Sequence, residues 1–428
     1  MRISFRADAS LEMGTGHVMR CLTLAYALRE KGHVCEFICR DLQGHLGERI
    51  QAEGFDLTFL PKPAADFHPA PHALKHAALA HVSWEIDARE THAALHDCNW
   101  MIVDHYAFDA KWQAAALTPN TKLAVIDDLA DRHHIADLLI DQNLGRRASD
   151  YDAIIPKGAE RLIGPRYALL RPEFYRTRKA TISTRAARIS GSLNVLVAMG
   201  GVDLHNATGM ILDVLGPQPN LAVTVVMGAN APALETIRTQ AAKSPNHIKV
   251  IVDTKDIAGL MASADIAIGA AGGSSWERCA LGLPTVLAIL ADNQIQGTAA
   301  LHHSGAAIDI GSPSSDGFTA KLKSAFDFLR IPSNRAAMSQ SAAKVADGNG
   351  VKRVVAALET PIKLNEATLA DAPAILDWRN AVPAELFVSG TNPNLKEHLV
   401  WFQNALKAPN RKLYVAGTPP FAHLRLDL

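Results

Sequence analysis

The stretch GTGHVMRC, Gly14 to Cys21, decides how the chain begins to fold. It follows a short apolar run, Met1 to Phe5, and leads into apolar residues that recur at helical spacing. The pattern predicts a strand, a glycine turn and then a helix, with His17 at the helix start. Glycines let a ligand approach the backbone closely, and the free N–H groups of a helix start attract anions. The sequence therefore predicts a ligand site at this turn.

His17 is the candidate catalytic residue because of this position. The positive end of a helix disfavours a protonated imidazole, so we expect the neutral ring, which can take a proton from water. The alternative is that His17 only begins a helix. The stretch is not a dinucleotide-binding fingerprint, because no third glycine follows at the required spacing.

Length and composition describe a globular chain of several domains. A chain of 428 residues suggests about three domains of roughly 150 residues each. The 43 basic and 43 acidic residues balance, which argues against nucleic acid or an anionic membrane as the main partner. We expect no signal peptide and no membrane span, since no segment approaches ~20 consecutive apolar residues. Five cysteines without a CxxC pair favour reduced thiols and a cytoplasmic protein.

Two series of short apolar runs alternate with helical patterns, and such runs are typical of strands buried in a parallel sheet. The first series lies in residues 1–175 and comprises Arg2–Phe5, Val34–Cys39, Trp100–Val103, Lys122–Ile126 and Leu138–Ile140. The second lies in residues 193–358 and comprises Asn194–Ala198, Ala222–Met227, Lys249–Val252, Ile266–Gly269, Pro284–Ile289 and Ala307–Ile310, followed by a helical stretch near Ala336–Leu358. Residues 176–192 are basic and polar and are interpreted as a linker. We predict an α/β protein with two Rossmann-like domains that face a ligand-binding cleft.

The segment GAAGGSSWERCALGLP, Gly269 to Pro284, predicts a nucleotide site. A strand ends at Gly269, small residues form a loop, and a helix begins near Ser274 and Ser275, whose hydroxyls suit a phosphate. Glu277 would lie one turn into the helix, in reach of a ribose. The same four residues, Ser274 to Glu277, also match a capping box, so a purely structural role stays open.

Polar residues follow several predicted strands and would therefore point towards the cleft. They are Asp104-His105-Tyr106, Asp127-Asp128, Gly200-Gly201 and Asp292-Asn293-Gln294. A single carboxylate in such a place also serves as an ordinary loop cap, and that alternative stays open.

Five motifs occur in an order that resembles the UDP-2,4-diacetamido-2,4,6-trideoxy-β-L-altropyranose hydrolase family of pseudaminic acid biosynthesis. They are RADAS (Arg6–Ser10), GxGHxxR (Gly14–Arg20), DHY (Asp104–Tyr106), YALLRPEF (Tyr167–Phe174) and MGGVD (Met199–Asp203). The resemblance covers about residues 1–355. The second half also resembles the UDP-binding half of the lipid-linked muramyl-peptide N-acetylglucosaminyltransferases, which are GT-B enzymes. That match rests on DIAGLMASADIAI (Asp256–Ile268) and on GGSSWERCALGLP (Gly272–Pro284).

The two resemblances imply roles for particular residues. His17 would be the catalytic base, and Glu277 would bind ribose hydroxyls. Ser274 and Ser275 would hold diphosphate together with Gly273. The other candidate substrate- or UDP-binding residues are Arg6, Asp8, Gly14, Gly16, Asp104, Tyr106, Tyr167, Gly200, Gly201, Ile257 (backbone, near uracil), Asn293 and Gln294. No metal and no cofactor is implied.

Residues 363–428 resemble the start of a GCN5-related N-acetyltransferase, through Asn365–Asn380 and Leu395–Phe402. We expect a strand at Lys363–Ala367, two helices, and strands at Lys412–Ala416 and Ala422–Leu428. The Q/R-x-x-G-x-G/A loop that cradles the acetyl-CoA pyrophosphate in that family is missing, so we expect no acetyl-CoA binding by this segment.

The function predicted from the sequence is hydrolysis of a UDP-sugar at its anomeric C1–O bond with inversion, His17 being the base. One alternative is a GT-B glycosyltransferase, in which an acceptor hydroxyl replaces water. The other is a non-catalytic sugar-nucleotide-binding module. The sequence leaves the sugar stereoisomer and the oligomeric state open.

Overall fold

The computed structural model describes residues 1–64, 67–187, 192–218, 220–359, 364–380, 393–416 and 422–427. The chain divides into two compact units, Met1–Leu358 and Glu359–Leu428. Two parallel sheets make up the larger unit, and the predicted α/β architecture with two Rossmann-like halves is confirmed.

The first half contains a seven-stranded parallel sheet in the order β3-β2-β1-β4-β5-β6-β7. Its strands are β1 (Arg2–Ala7), β2 (Val34–Arg40), β3 (Asp56–Leu60), β4 (Trp100–Asp104), β5 (Lys122–Ile126), β6 (Leu138–Asp141) and β7 (Glu160–Ile163). Its helices are α1 (Gly16–Glu30), α2 (Gly47–Ala52), α3 (Trp84–Ala94) and α4 (Ala110–Ala116). Helix α5 (Pro172–Ala187) follows in the chain and packs against helices of the second half. The five predicted strands are confirmed, and the two edge strands, β3 and β7, were not predicted. Edge strands need fewer buried apolar side chains, and DLTFL and ERLI carry few of them.

Helix α1 begins directly after the glycine turn, as predicted. Its apolar face, which comprises Val18, Cys21, Leu22, Ala25 and Leu28, is buried against the first sheet. Gly14 has a φ of 77° and its N–H donates to the carbonyl of Ser10 over 2.8 Å, which closes the turn. The turn and the packed face together fix His17 at the carboxyl end of the sheet.

The second half contains a six-stranded parallel sheet in the order β10-β9-β8-β11-β12-β13. Its strands are β8 (Leu193–Ala198), β9 (Leu221–Met227), β10 (His247–Val252), β11 (Ile266–Ala270), β12 (Thr285–Ala288) and β13 (Ile308–Asp309). Its helices are α6 (Ala207–Leu215), α7 (Leu234–Lys243), α8 (Ile257–Ser263), α9 (Ser274–Ala280), α10 (Ile295–His303), α11 (Phe318–Arg330) and α12 (Pro332–Val345), and α13 (Gly350–Leu358) follows them in the chain. All six predicted strands are confirmed.

Helix α13 corrects the predicted boundary between the halves. It was assigned to the second domain, but Val351, Val354, Val355 and Leu358 lie in the apolar core of the first sheet. Their i, i+3, i+4, i+7 spacing makes one continuous apolar face, which packs along α1. The indole N–H of Trp100 donates to the carbonyl of Leu358 over 3.0 Å. The chain therefore returns to the first half before the larger unit ends.

The stretch predicted as a linker, residues 176–192, is not irregular in its described part. Helix α5 continues to Ala187, and residues 188–191 lie outside the described residues. Arg178 donates to the carbonyl of Ala346 over 2.9 Å, and Arg185 donates to that of Met261 over 3.0 Å. These carbonyls lie at helix C-termini, where the last turns leave acceptors unsatisfied. The basic residues that suggested a solvated linker therefore hold α5 on the second half.

The smaller unit is a three-stranded antiparallel sheet with two helices. Its strands are β14 (Leu364–Glu366), β15 (Arg411–Ala416) and β16 (Ala422–Asp427), in the order β14-β15-β16. Its helices are α14 (Ala372–Asn380) and α15 (Leu395–Lys407). Ile375, Phe402 and Leu413 pack in its core. The predicted element order is confirmed, while the predicted strand ends Lys363 and Leu428 lie outside the described residues.

Candidate functional site

A cleft of about 980 Å³ lies at the carboxyl ends of both sheets of the larger unit. In the first half, the loops after β4, β5 and β6 contribute Tyr106, Asp128 and Gln142 to its wall. In the second half, the loops after β10 and β11 contribute Thr254 and Gly272. The volume suits a ligand larger than a single sugar, and its position is the one predicted for a doubly wound sheet.

His17 lines this cleft at the start of α1 and is held by a buried carboxylate. Its Nδ1 lies 2.5 Å from Oδ1 of Asp104, which ends β4 and is fully buried. A carboxylate only accepts, so Nδ1 carries the hydrogen and Nε2 is left as the basic nitrogen. Within the described part of the chain, no hydrogen-bond partner of Nε2 is found. This pairing sets the tautomer that a general base requires.

Arg20 completes the arrangement one turn further along α1. Its Nε lies 2.5 Å from Oδ2 of Asp104 and its Nη2 lies 2.7 Å from Oδ1. Burial alone would raise the pKa of Asp104, but Arg20 and His17 together hold it well below the usual value. Asp104 is therefore ionised at neutral pH and would stabilise a positive charge forming on His17.

Tyr106 joins the two halves of the larger unit across the cleft. Its hydroxyl donates to Oδ2 of Asp128 over 3.1 Å and accepts a bond from Nδ2 of Asn293 over 3.2 Å. Asp128 in turn lies 2.8 Å from Nη1 of Arg20. A continuous chain of hydrogen bonds therefore runs from Asn293 to the His17–Asp104 pair. The ring of Tyr106 also meets the imidazole of His17 edge-on, with centroids 4.5 Å apart.

The opposite wall is built by the loop after β11 and the first turn of α9. Among the residues that the structure describes, no side chain caps α9, so the capping-box interpretation of Ser274 and Glu277 is not supported. The two serine hydroxyls instead accept bonds from Arg278, over 3.2 Å for Ser274 and 3.1 Å for Ser275. A side chain at Gly269 would collide with that guanidinium, at 2.6 Å, which explains the glycine.

Glu277 lines the cleft and is paired with Arg171 only at long range. Burial raises its pKa to about 6, and Arg171, with Nη2 4.0 Å from Oε1, opposes the rise. At neutral pH the carboxylate is mostly ionised and can accept hydrogen bonds from a ligand. This is the chemistry that a ribose, with two adjacent hydroxyls, would satisfy.

The structure brings nine of the sequence-predicted site residues together on the cleft wall: Gly16, His17, Tyr106, Gly273, Ser274, Ser275, Glu277, Asn293 and Gln294. Asp104 lies behind His17 and acts through it. Gly14 closes the turn before α1. Ile257 begins α8, two residues beyond the wall residue Lys255.

Arg6 and Asp8 require a correction, because both side chains are fully buried away from the cleft. Arg6 pairs with Asp8 over 2.6 Å and with Asp87 over 2.8 Å, and Asp8 also accepts the backbone N–H of Arg40 over 2.7 Å. The charges neutralise one another inside the first half, where an unpaired ion would be costly. These residues join β1, β2 and α3 and do not reach a ligand in the cleft.

Tyr167, Gly200 and Gly201 also lie outside the cleft wall. Tyr167 packs against the core of the first half, beside the start of α13. Gly200 and Gly201 follow β8, and the carbonyl of Gly201 accepts the N–H of Gly228 over 3.0 Å. Both glycines are exposed at the turn after β8.

Several wall residues were not among the predicted site residues, namely Arg20, Gln142, Asn143 and Arg171, whereas Asp128 lies at the cleft, where the sequence analysis expected it. The sequence marked two of the missed residues, because Arg20 belongs to the GxGHxxR motif and Arg171 to YALLRPEF. Gln142 and Asn143 follow β6, and neither a charge nor a motif marked them.

The sequence of this chain is similar to those of several known proteins. Residues 193–355 match the family model of the glycosyltransferase family 28 C-terminal domain. A UDP-2,4-diacetamido-2,4,6-trideoxy-beta-L-altropyranose hydrolase of Campylobacter jejuni is 26% identical over 262 residues, which is 61% of this chain and 81% of that protein. The spore coat polysaccharide biosynthesis protein SpsG of Bacillus subtilis is 25% identical over 378 residues, or 84% of this chain and 98% of that protein. The resemblance predicted from the motifs is confirmed.

The crystal structure of Acinetobacter baumannii MurG covers 84% of this chain and is itself covered to 99%, with a TM-score of 0.62 at 14% identity. This likeness establishes the predicted GT-B-like fold for the larger unit.

The acetyltransferase resemblance of residues 363–428 stays a prediction. None of the helices described here is both long and apolar enough to cross a membrane.

Proposed function

We propose that this protein hydrolyses a UDP-activated sugar at its anomeric carbon and releases UDP and the free sugar. The observation that carries the proposal is the His17–Asp104 pair at the wall of a GT-B cleft, with Nδ1 bound and Nε2 left basic. A general base of this kind is what the attack of water requires. The similarity to the Campylobacter jejuni hydrolase supports this reaction.

In the proposed reaction, Nε2 of His17 takes a proton from a water molecule as its oxygen attacks C1 of the sugar. The C1–O bond to the diphosphate breaks on the opposite face, so the configuration at C1 inverts. UDP leaves with the bonding electron pair. Asp104 stabilises the imidazolium that forms, and the proton then passes to solvent.

The second half would hold the UDP group. Glu277 would accept hydrogen bonds from the ribose, while Gly273, Ser274 and Ser275 would face the diphosphate. Asn293 and Gln294 lie between this loop and Tyr106, where the diphosphate would meet the sugar. The match of residues 193–355 to a glycosyltransferase family 28 domain supports this division of roles. A diacetamido-trideoxy sugar is the substrate that we propose.

A glycosyltransferase uses the same fold, with an acceptor hydroxyl in place of water. Incubating the protein with UDP-sugars, with and without alcohol or sugar acceptors, distinguishes the two reactions by proton NMR. We expect UDP and the free sugar to appear without an acceptor, with the inverted anomer formed first. Product formation only when an acceptor is present would contradict hydrolysis, and UDP binding without turnover would indicate a binding module.

The substitution Glu277→Ala is expected to weaken UDP binding by roughly 1.5–3 kcal/mol, because charged hydrogen bonds to the ribose are lost. Calorimetric titration of UDP measures this. Since no described side chain caps α9, the thermal stability of this variant should change little.

The pKa of about 6 for Glu277 also predicts that the UDP affinity of the unmodified protein falls as the pH drops through that value, because a protonated carboxyl accepts hydrogen bonds more weakly.

The matched control is Glu173→Ala, which removes a carboxylate that pairs with the same Arg171 over 3.1 Å but does not line the cleft. It should leave UDP affinity nearly unchanged. If Glu277→Ala lowers the thermal stability but leaves the UDP affinity intact, Glu277 has a structural role and does not bind the ribose.

A further inference from the structure

Tyr151 lies between two buried carboxyl groups behind the cleft wall. Its hydroxyl oxygen is 2.9 Å from Oδ2 of Asp127 and 2.8 Å from Oδ2 of Asp141. All three residues are fully buried. A hydroxyl has one hydrogen and can donate it to only one of the two oxygens. The second contact is a hydrogen bond only when one of the carboxyl groups is itself protonated.

The charges around this cluster favour retention of that proton. Arg132 reaches Oδ1 of Asp127 over 2.9 Å, and Nε of Arg146 reaches Oδ2 of Asp141 over 2.9 Å. Each of these guanidiniums also faces a second carboxylate, Asp131 for Arg132 and Asp150 for Arg146. The acidic groups here therefore outnumber the cations that face them.

The remaining charged neighbours do not change this balance. Asp128 adds a further negative charge beside Asp141, and its own partner Arg20 is shared with Asp104. Burial lowers the pKa of His134, beside Asp127, to about 4, so its ring is neutral. Next to Tyr151, Asp152 is paired with Arg161 of β7.

The two carboxyl groups differ in their surroundings. Burial and the neighbouring Asp128 raise the pKa of Asp141 to about 7. Burial would also raise the pKa of Asp127, but the guanidinium of Arg132 and the N–H of Ala130 outweigh it and hold that pKa below its usual value. The shared proton therefore resides on Asp141.

Asp127 and Asp141 each immediately precede, in the sequence, residues that line the cleft. Asp127 precedes Asp128, and Asp141 precedes Gln142 and Asn143. Oδ1 of Asp141 accepts the N–H of Asn143 over 2.8 Å, and Nδ2 of Asn143 donates to the carbonyl of Asp128 over 3.2 Å. The cluster therefore joins the carboxyl ends of β5 and β6 at the point where both enter the site.

We propose that Asp141 and Tyr151 are positioning residues of the cleft, and that a proton retained on Asp141 holds the ends of β5 and β6 together. When that proton is lost, two carboxylates compete for the single hydrogen of Tyr151. Their repulsion separates the strand ends, and Asp128 and Asn143 move with them. Arg20 loses its fixed contact with Asp128, and the orientation of His17 through Asp104 loosens.

The stability profile tests the proposal without reference to activity. A group whose pKa is higher in the folded than in the unfolded chain stabilises the fold at low pH, and this contribution is lost as the pH rises through the folded value. Other buried groups titrate in the same range, and His134, whose pKa is lowered, has the opposite effect on stability. We therefore expect the Tm of the unmodified protein, measured relative to that of Asp141→Asn, which lacks this titrating group, to fall as the pH rises from about 4 to about 7.

The matched control is Arg146→Gln, since the amide of Asp141→Asn has a single accepting oxygen and loses the bond from Nε of Arg146 when that oxygen keeps the N–H of Asn143. The control removes the contact with Arg146 but keeps the carboxyl of Asp141, so its Tm should fall relative to that of Asp141→Asn over the same pH range. Equal pH dependence of Tm in Asp141→Asn and in the unmodified protein would overturn the proposal.

Should Asp141→Asn not fold, infrared spectra of the unmodified protein, isotopically labelled at aspartate, keep the proposal testable. A protonated aspartate carbonyl band near pH 6 supports it, and the absence of that band refutes it.

The kinetic test rests on the proposed hydrolysis. In the unmodified protein we expect KM to rise on the alkaline side, as the cleft wall loosens, and we expect Asp141→Asn to remove this rise. An identical alkaline rise of KM in both proteins would contradict a positioning role. If the Tm profiles differ as expected but no UDP-sugar is turned over, the proposed function fails and the inference about the shared proton stands.

Discussion

Replacing His17 with alanine is expected to lower kcat by roughly 10²–10⁴-fold, the usual effect of removing a general base. UDP affinity should stay nearly unchanged, because the residues proposed to hold the nucleotide belong to the second half. His17 lies at the first turn of α1, where an alanine is compatible with the helix and its apolar face remains packed. Steady-state kinetics and UDP titration on the same preparation separate the two effects.

The matched control for this prediction is His96→Ala. His96 is a surface histidine with a 64% exposed side chain that contacts Glu36 and does not line the cleft. Its replacement should leave kcat and UDP affinity unchanged. Turnover of the His17→Ala variant close to that of the unmodified protein would refute the assignment of His17 as the base.

The sheets and the cleft could be predicted because their signals are local. Central strands such as β4 (WMIVD) and β11 (IAIGA) are short apolar runs, and the carboxyl ends of parallel strands meet at one edge. The position of His17 followed from its glycine turn and the apolar face of α1. The loop of Ser274 and Ser275 followed from the small residues after β11 in the same way.

The misplaced residues are those whose partners are distant in sequence. Arg6 and Asp8 sit at the end of β1, as a ligand-binding pair would, but Asp87 and Arg40 enclose them from α3 and β2. The apolar face of α13 was visible, yet nothing in its own sequence indicated that it covers the first sheet. Asp104 likewise contacts His17 and Arg20, from which it lies 87 and 84 positions away in the sequence.

Replacing Asp104 with asparagine is expected to lower kcat by up to roughly 10⁴-fold, although the side chain keeps its shape. The amide of asparagine has one accepting oxygen, whereas Asp104 now accepts from both His17 and Arg20. If this oxygen accepts the hydrogen bond from Arg20, the amide NH₂ faces Nδ1 of His17. Nδ1 must then accept, and the ring hydrogen moves to Nε2. The base is lost through the wrong tautomer, while the imidazole stays in place.

Stability and UDP affinity distinguish this effect from simple damage to the fold. Arg20 retains Asp128 at 2.8 Å, so the free energy of unfolding should fall by less than the roughly 3–5 kcal/mol typical of a buried charge left alone. UDP titration should be nearly normal. The matched control is Asp128→Asn, which removes the other partner of Arg20 but leaves His17 bound to Asp104, and which should reduce kcat far less. A folded Asp104→Asn protein with undiminished kcat would show that His17 does not need its carboxylate partner to act as the base.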